Sequence, residues 1–131
     1  MLWRKRQSAS SSLLKSKIMN NEKKNTATTF DGGVTEQKIE SWKQQYGKVV
    51  RVDVVDGEEM HIGYFHRPDL KTMAAVTKVA KTDEVKSSEV LWDNCWLGGS
   101  ERMREDAVLF LAAIKQLGDM MNGCMASIKN L

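Results

Sequence analysis

Two cysteines, two histidines, a knot of carboxylates and a Gly-Gly-Ser step are the residues of this chain best equipped to react or to bind. Cys95 sits between Asn94 and Trp96, near the expected C-terminal end of a helix. A reactive thiolate prefers a helix N-terminus or a cationic neighbour, so the position argues against a nucleophile. Cys95 and Cys124 both fall in apolar helical segments, and they read as two reduced, buried thiols in a cytosolic compartment rather than as a disulfide framework. His61, on a strand, should face away from Ile62 and the core, and His66 lies in the exit loop beside Arg67. Both are expected at the surface, and a zinc site would need more ligands close by. Asp53, Asp56, Glu58 and Glu59 crowd a hairpin tip, where carboxylates keep a turn solvated and imply no acid–base pocket. Leu97-Gly98-Gly99-Ser100 could offer backbone N–H groups to an anion, but it lacks the lysine and spacing of a phosphate loop and reads as a helix stop. No serine occupies a G-x-S-x-G elbow. The residues therefore point to no catalytic set, no metal and no cofactor.

The elements that position these residues follow from periodicity. Thr35 is a suitable N-cap for a helix to about Tyr46, with Ile39, Trp42 and Tyr46 on one face and Gly47 as its stop. Residues 48–65 read as a β-hairpin around Asp56-Gly57. Val50, Val52 and Val54 alternate on one strand, and Met60, Ile62 and Tyr64 on the next. A half-buried hairpin must turn both sets to one face, which requires a three-residue loop Val55-Asp56-Gly57 and sets Val52 opposite Met60 and Val50 opposite Ile62. Pro68 fits the first turn of a helix running to about Lys81, with Leu70, Met73, Ala74, Thr77 and Ala80 inward. Asp83 caps a third helix from about Glu84 to Trp96, closed by Leu97 and Gly98-Gly99. Ser100 is a plausible cap for the last helix. In that helix Met103, Ala107, Phe110, Ile114, Leu117, Met121, Cys124, Ile128 and Leu131 form a heptad seam. The seam is expected either to meet another subunit or partner beyond Met120 or to fold back at Asn122-Gly123. The fold class is α+β: an N-terminal helix, a β-hairpin, then three helices, the last long and amphipathic.

Composition suits one domain of this kind. The chain has 131 residues, 41% hydrophobic and 28% charged, a globular balance. Residues 1–33 read as a disordered basic and polar arm, leaving 34–131 as a single α+β domain. Arg4, Lys5, Arg6, Lys15 and Lys17 give residues 1–18 a charge of +5 against +3 for the whole chain, so the remainder nets −2 and offers no basic nucleic-acid face. The acid-free opening resembles a transit peptide superficially, but a disordered extension, or one mis-assigned upstream of a start at Met19, is the favoured reading. No stretch approaches the roughly 18 apolar residues of a membrane span. Trp92 and Trp96, spaced i, i+4, pack a core by default and line a partner groove in the sharper reading. The groove candidates are Trp92, Trp96, Phe110, Ile114, Met121 and Met125.

Three stretches carry a family resemblance: Phe65-His-Arg-Pro-Asp-Leu-Lys-Thr-Met73, Lys81-Thr-Asp83, and Glu89-Val-Leu-Trp-Asp-Asn-Cys-Trp-Leu-Gly-Gly99. With Trp42-Lys-Gln-Gln-Tyr-Gly47 upstream, residues 35–131 resemble small phage and prophage proteins, especially of Bacteroidetes hosts, that are similar to tail assembly chaperones. Asp83-Glu84 departs from the commoner aspartate-proline of that pattern. The resemblance implies a non-enzymatic helper of virion assembly in the bacterial host cytoplasm, binding a protein partner such as the tape-measure protein, and it carries over no catalytic residues. Binding would be of helix-in-groove type, with self-association through the C-terminal helix as a second use of the seam. A structural virion component, and a small DNA-binding regulator using the basic arm, are the alternatives.

Overall fold

The protein is described by a computed structural model covering residues 28–131, the expected arm from 1 to 27 lying outside the described residues. In chain order the elements are β1 (Thr28–Phe30), α1 (Glu36–Tyr46), β2 (Val49–Asp56), β3 (Glu59–His66), α2 (Leu70–Ala80), α3 (Glu84–Cys95), β4 (Trp96–Gly99), α4 (Arg102–Glu105) and α5 (Ala107–Met121). The α+β class holds. The expected boundary of the arm does not, because Thr28–Phe30 is already a strand, paired in parallel with β3.

The helix starts follow local chemistry. Thr35 accepts from the Lys38 N–H, Asp69 from Thr72, and Asp83 from Lys86, each satisfying a donor that the first helical turn leaves free. The hydrogen bond from Thr72 is also the main reason the Asp69 carboxyl is held below its ordinary range. Gly47, at φ 84, ends α1 as expected.

The hairpin register differs from the expected one. Asp56 pairs with Glu59, Val54 with His61, Val52 with Gly63 and Val50 with Phe65, around a two-residue loop Gly57-Glu58. Val52 therefore does not oppose Met60, and the two apolar sets lie on opposite faces of the sheet. Burial of both faces makes this acceptable. On one side Val52, Val54 and Phe65 join Leu91, Trp92, Cys95, Met103, Leu109, Phe110, Ala113 and Leu117 from α3, α4 and α5. On the other, Ile62 and Tyr64 pack with Trp42 of α1, flanked by Val34, Ile39, Met60 and Leu97. β3 is the shared wall of the two cores, and every residue from His61 to Phe65 is buried.

β3 is also paired along both edges. β2 occupies one edge. The other is shared end to end by β1, opposite residues 59–61, and β4, opposite residues 63–65. Trp96–Gly99 is thus a strand and not the closing turn of a helix. Its register slips at Leu97, which sends Trp96 to the α3–α5 core and Leu97 to the Trp42 core.

The long final helix is broken in two. Asp106 interrupts it, and its carboxylate accepts from the Val108 and Leu109 N–H groups to begin α5. α5 ends at Met121, and residues 124–131 are neither helical nor buried, so the heptad seam stops short of Cys124, Ile128 and Leu131. Asn122-Gly123 acts as a helix end. α2 is also rotated from its expected orientation: Thr72, Met73, Val76 and Val79 are half-buried, while Leu70, Ala74, Thr77 and Ala80 are exposed.

Where β1 leaves the edge of β3 and β4 takes it over, backbones touch. A Cβ on Gly99 (φ 135) would collide with the Ile62 carbonyl oxygen, and one on Gly32 with Gly99. Gly99→Ala is expected to cost at least about 2 kcal/mol in urea unfolding, because both dihedral and space forbid it. Gly33→Ala, also at positive φ but facing open space, should cost only about 1 kcal/mol.

Candidate functional site

Two side-chain groupings meet at the β3–β4 junction. The first is aromatic. Phe65 contacts Trp92 and Trp96 edge-on at 4.9 and 5.3 Å, Trp92 and Trp96 stack at 5.3 Å, and Phe110 lies 5.0 Å from Trp92. Such edge-on and offset pairs add attraction beyond buried area. Gly63 makes room for them, since a Cβ there would lie 2.8 Å from the Trp96 ring. On the rim Arg104 spans Asp93 and Glu89 and lies over the Phe110 ring at 5.3 Å. Asp93, by its hydrogen bond first, holds the guanidinium firmly protonated.

Of the six groove candidates, Trp92 and Phe110 are interior packing residues and are not offered to a partner. Trp96, Ile114 and Met121 are half-buried against the same core, and Met125 stands free. The tertiary structure therefore does not assemble the six into one groove. Exposed apolar surface instead continues along Met125, Ile128 and Leu131 after α5, with Val108 and Leu111 exposed on α5 itself.

The second grouping is polar and was not expected. His61 is 0% exposed rather than at the surface. Its Nδ1 lies 2.8 Å from the Ser100 Oγ and its Nε2 3.1 Å from the Glu59 carboxylate. A carboxylate can only accept, so in the neutral ring Nε2–H donates to Glu59 and Nδ1 accepts from the Ser100 hydroxyl. Phe30 stacks on the imidazole at 4.9 Å, and Arg102 reaches both the Phe30 ring and Glu59. The Ser100 N–H donates to the Ile62 carbonyl. Ser100 is consequently no helix cap; α4 begins without a side-chain cap. The strand alternation of β3 points His61 away from Ile62, as expected, but the core of Val54 and Phe65 and the Phe30 side chain of β1 lie on that side. A histidine two residues from a glutamate on a strand was the available signal, and the sequence had offered no reason to bring Ser100 to it.

Of this grouping Phe30, Ser100 and Arg102, but neither His61 nor Glu59, line an open cleft of about 550 Å3 between β1 and α4, bordered by Asp31, Gly32, Gly99 and Glu105. A neighbouring cleft of about 330 Å3 runs between α1 and β4, past Lys38, Trp42 and Trp96. Among the described residues no group of three or more His, Cys, Asp or Glu is placed to hold a metal ion. Burial pushes the Cys95 thiol up to about 11, which keeps it protonated and unreactive near neutrality. Cys124 is exposed, contrary to its expected place in the seam.

Comparison with known proteins bears on the fold. No family model matches the chain, and no curated protein matches it. A solved structure of an uncharacterised protein from Bacillus stearothermophilus is similar over 70% of this chain and 99% of its own, at 17% identity and a TM-score of 0.51. That likeness shows a shared fold. Among the described residues no helix is long and apolar enough to cross a membrane.

The hydrogen bonds of His61 tie β4 and α4 to β3. Ser100→Ala leaves the buried Nδ1 without a donor, and urea denaturation should show a loss of about 1–3 kcal/mol. Glu59→Gln retains an acceptor for Nε2–H and should cost less.

Proposed function

We propose that the protein is a non-enzymatic assembly chaperone or adaptor, of the tail-assembly type that residues 35–131 resemble. It acts in the host cytoplasm and holds an apolar helical segment of a partner such as a tape-measure protein. The observation that supports this is the segment after α5, where Met125 and Ile128 are 97% and 92% exposed without covering any core of their own. Isolated exposed apolar residues are ordinary, but Met125, Ile128 and Leu131 follow half-buried Met121 as an exposed apolar stripe along a non-helical segment. Methionine suits such a surface because its unbranched side chain adapts to different partners. Trp92, Phe110 and Trp96 then serve to fix the platform from which the stripe projects. The test is co-expression with a phage tape-measure protein. Met125→Asp with Ile128→Asp should leave the melting temperature within about 2 °C, since neither residue is buried, while the partner passes from the soluble to the aggregated fraction. Unchanged partner solubility would count against the tail. Absence of the protein from purified virions would separate a chaperone from a structural component.

The Ser100–His61–Glu59 chain favours a second reading. Hydroxyl, imidazole and carboxylate in that order form the relay that activates a serine nucleophile. Ser100 borders the cleft beside Arg102 and Glu105, although it is itself buried. A fluorophosphonate probe decides between the readings. Covalent labelling at Ser100 that disappears in a folded His61→Gln variant would establish an activated serine nucleophile; no labelling leaves the grouping as a structural latch.

A further inference from the structure

The opposite edge of the sheet carries a separate surface. Among the described residues β2 pairs with β3 alone, so its outer edge is open. It is eight residues long and contains no proline or glycine, and its pairing with β3 runs without a bulge. Edge strands left straight and open in this way readily accept another strand. The two-residue loop makes Asp56 and Glu59 the closing hydrogen-bonded pair, so the even-numbered residues of β2 bond to β3. Val49, Arg51, Asp53 and Val55 consequently turn their N–H and C=O groups to the open edge.

The sequence of that edge is complementary to itself. Lys48-Val-Val-Arg-Val-Asp-Val-Val-Asp56 reads the same outward in both directions from Val52, with the charges inverted. We infer that β2 pairs antiparallel with β2 of a second copy of this chain about a two-fold axis at Val52, joining the two sheets into one. In that register Arg51 stands opposite Asp53 of the second copy, Val49 opposite Val55, Val50 opposite Val54 and Lys48 opposite Asp56. The four residues with outward backbone groups meet one another, so the ladder and the side chains are satisfied together. Charge selects the register. Moving the axis to residue 51 or 53 sets Arg51 against itself or Asp53 against itself, and like charges directly opposed destabilise a sheet. A one-residue shift sets outward backbone groups against inward ones.

In the single chain Arg51 already reaches Asp53 on its own strand, at 2.7 and 2.9 Å, so both charges are ordered on one face of the edge. Pairing exchanges this bond for its equivalent across the interface. The inverted repeat is the reason to name a second copy over an unrelated strand, since only a self-partner uses both halves of it. The surface lies on a different element from the apolar stripe after α5, and it stands whether or not that stripe binds a partner.

Sedimentation equilibrium over a concentration series tests the inference, with circular dichroism to confirm folding. The wild-type chain should dimerise reversibly. Arg51→Asp, which sets carboxylates against Asp53 of the second copy, should raise the dissociation constant at least about tenfold, equivalent to about 1.4 kcal/mol. Arg51→Asp combined with Asp53→Arg should restore dimerisation, because complementarity returns with the signs exchanged. Asp53→Pro removes an N–H that faces outward and not towards β3, so the fold should survive and the dimer should not. A wild-type chain that stays monomeric throughout, or a dimer unaffected by both Arg51→Asp and Asp53→Pro, would overturn the inference.

Discussion

The structure depends on closing β3 on four sides. Its residues from His61 to Phe65 are buried, and a strand buried on both faces must also satisfy its backbone groups along both edges. β2 serves one edge along its whole length. No single strand serves the other, so β1 and β4 divide it, one parallel and one antiparallel. This division brings Gly32, Gly99 and the Ile62 carbonyl into backbone contact, where no side chain fits. It also delivers Ser100 to the His61 ring, because the residue following β4 must pass the end of β1.

The two cores are unequal, and the difference explains the rest of the layout. The α1 side needs one aromatic platform, Trp42 against Tyr64 at 5.8 Å, and a single short helix covers it. The other side holds Phe65, Trp92, Trp96 and Phe110, and residues of α3, α4 and α5 together enclose them. The break at Asp106 separates α4 from α5, and the Asp106 side chain caps the new helix at the same residue. α2 covers no part of the sheet closely; it has no fully buried residue and packs mainly on α3.

Much of this was legible from short-range chemistry. The caps at Thr35 and Asp83, the stop at Gly47 and the starts of α1 and α3 need only a side chain and the nearest free N–H or a positive φ. The opposed alternation of Val50-Val52-Val54 and Met60-Ile62-Tyr64 was equally visible. Its meaning was not, because the same pattern implies an odd loop if one face is buried and a two-residue loop if both are. The heptad seam misled for a related reason. Periodicity reports which side chains could share a face, but a capping aspartate at 106 and the Asn122-Gly123 pair outweighed its continuation. Of the candidate groove, the aromatic members were recognised by type, and their burial depended on partners distant in sequence.

The sequence by itself determined the fold class, most of the helix starts and the apolar character of the Trp92–Trp96 segment, because each depends on neighbours within a few residues. It also wrote the self-complementary edge of β2, which needs no distant partner to be read. Tertiary structure alone decided that Trp96–Gly99 is a strand, that His61 is enclosed with Ser100 and Glu59, and that Met125 and Ile128 stay outside. Those outcomes turn on which element covers which edge of β3. That choice is made by packing between segments far apart in the chain, where local preference is too weak to decide.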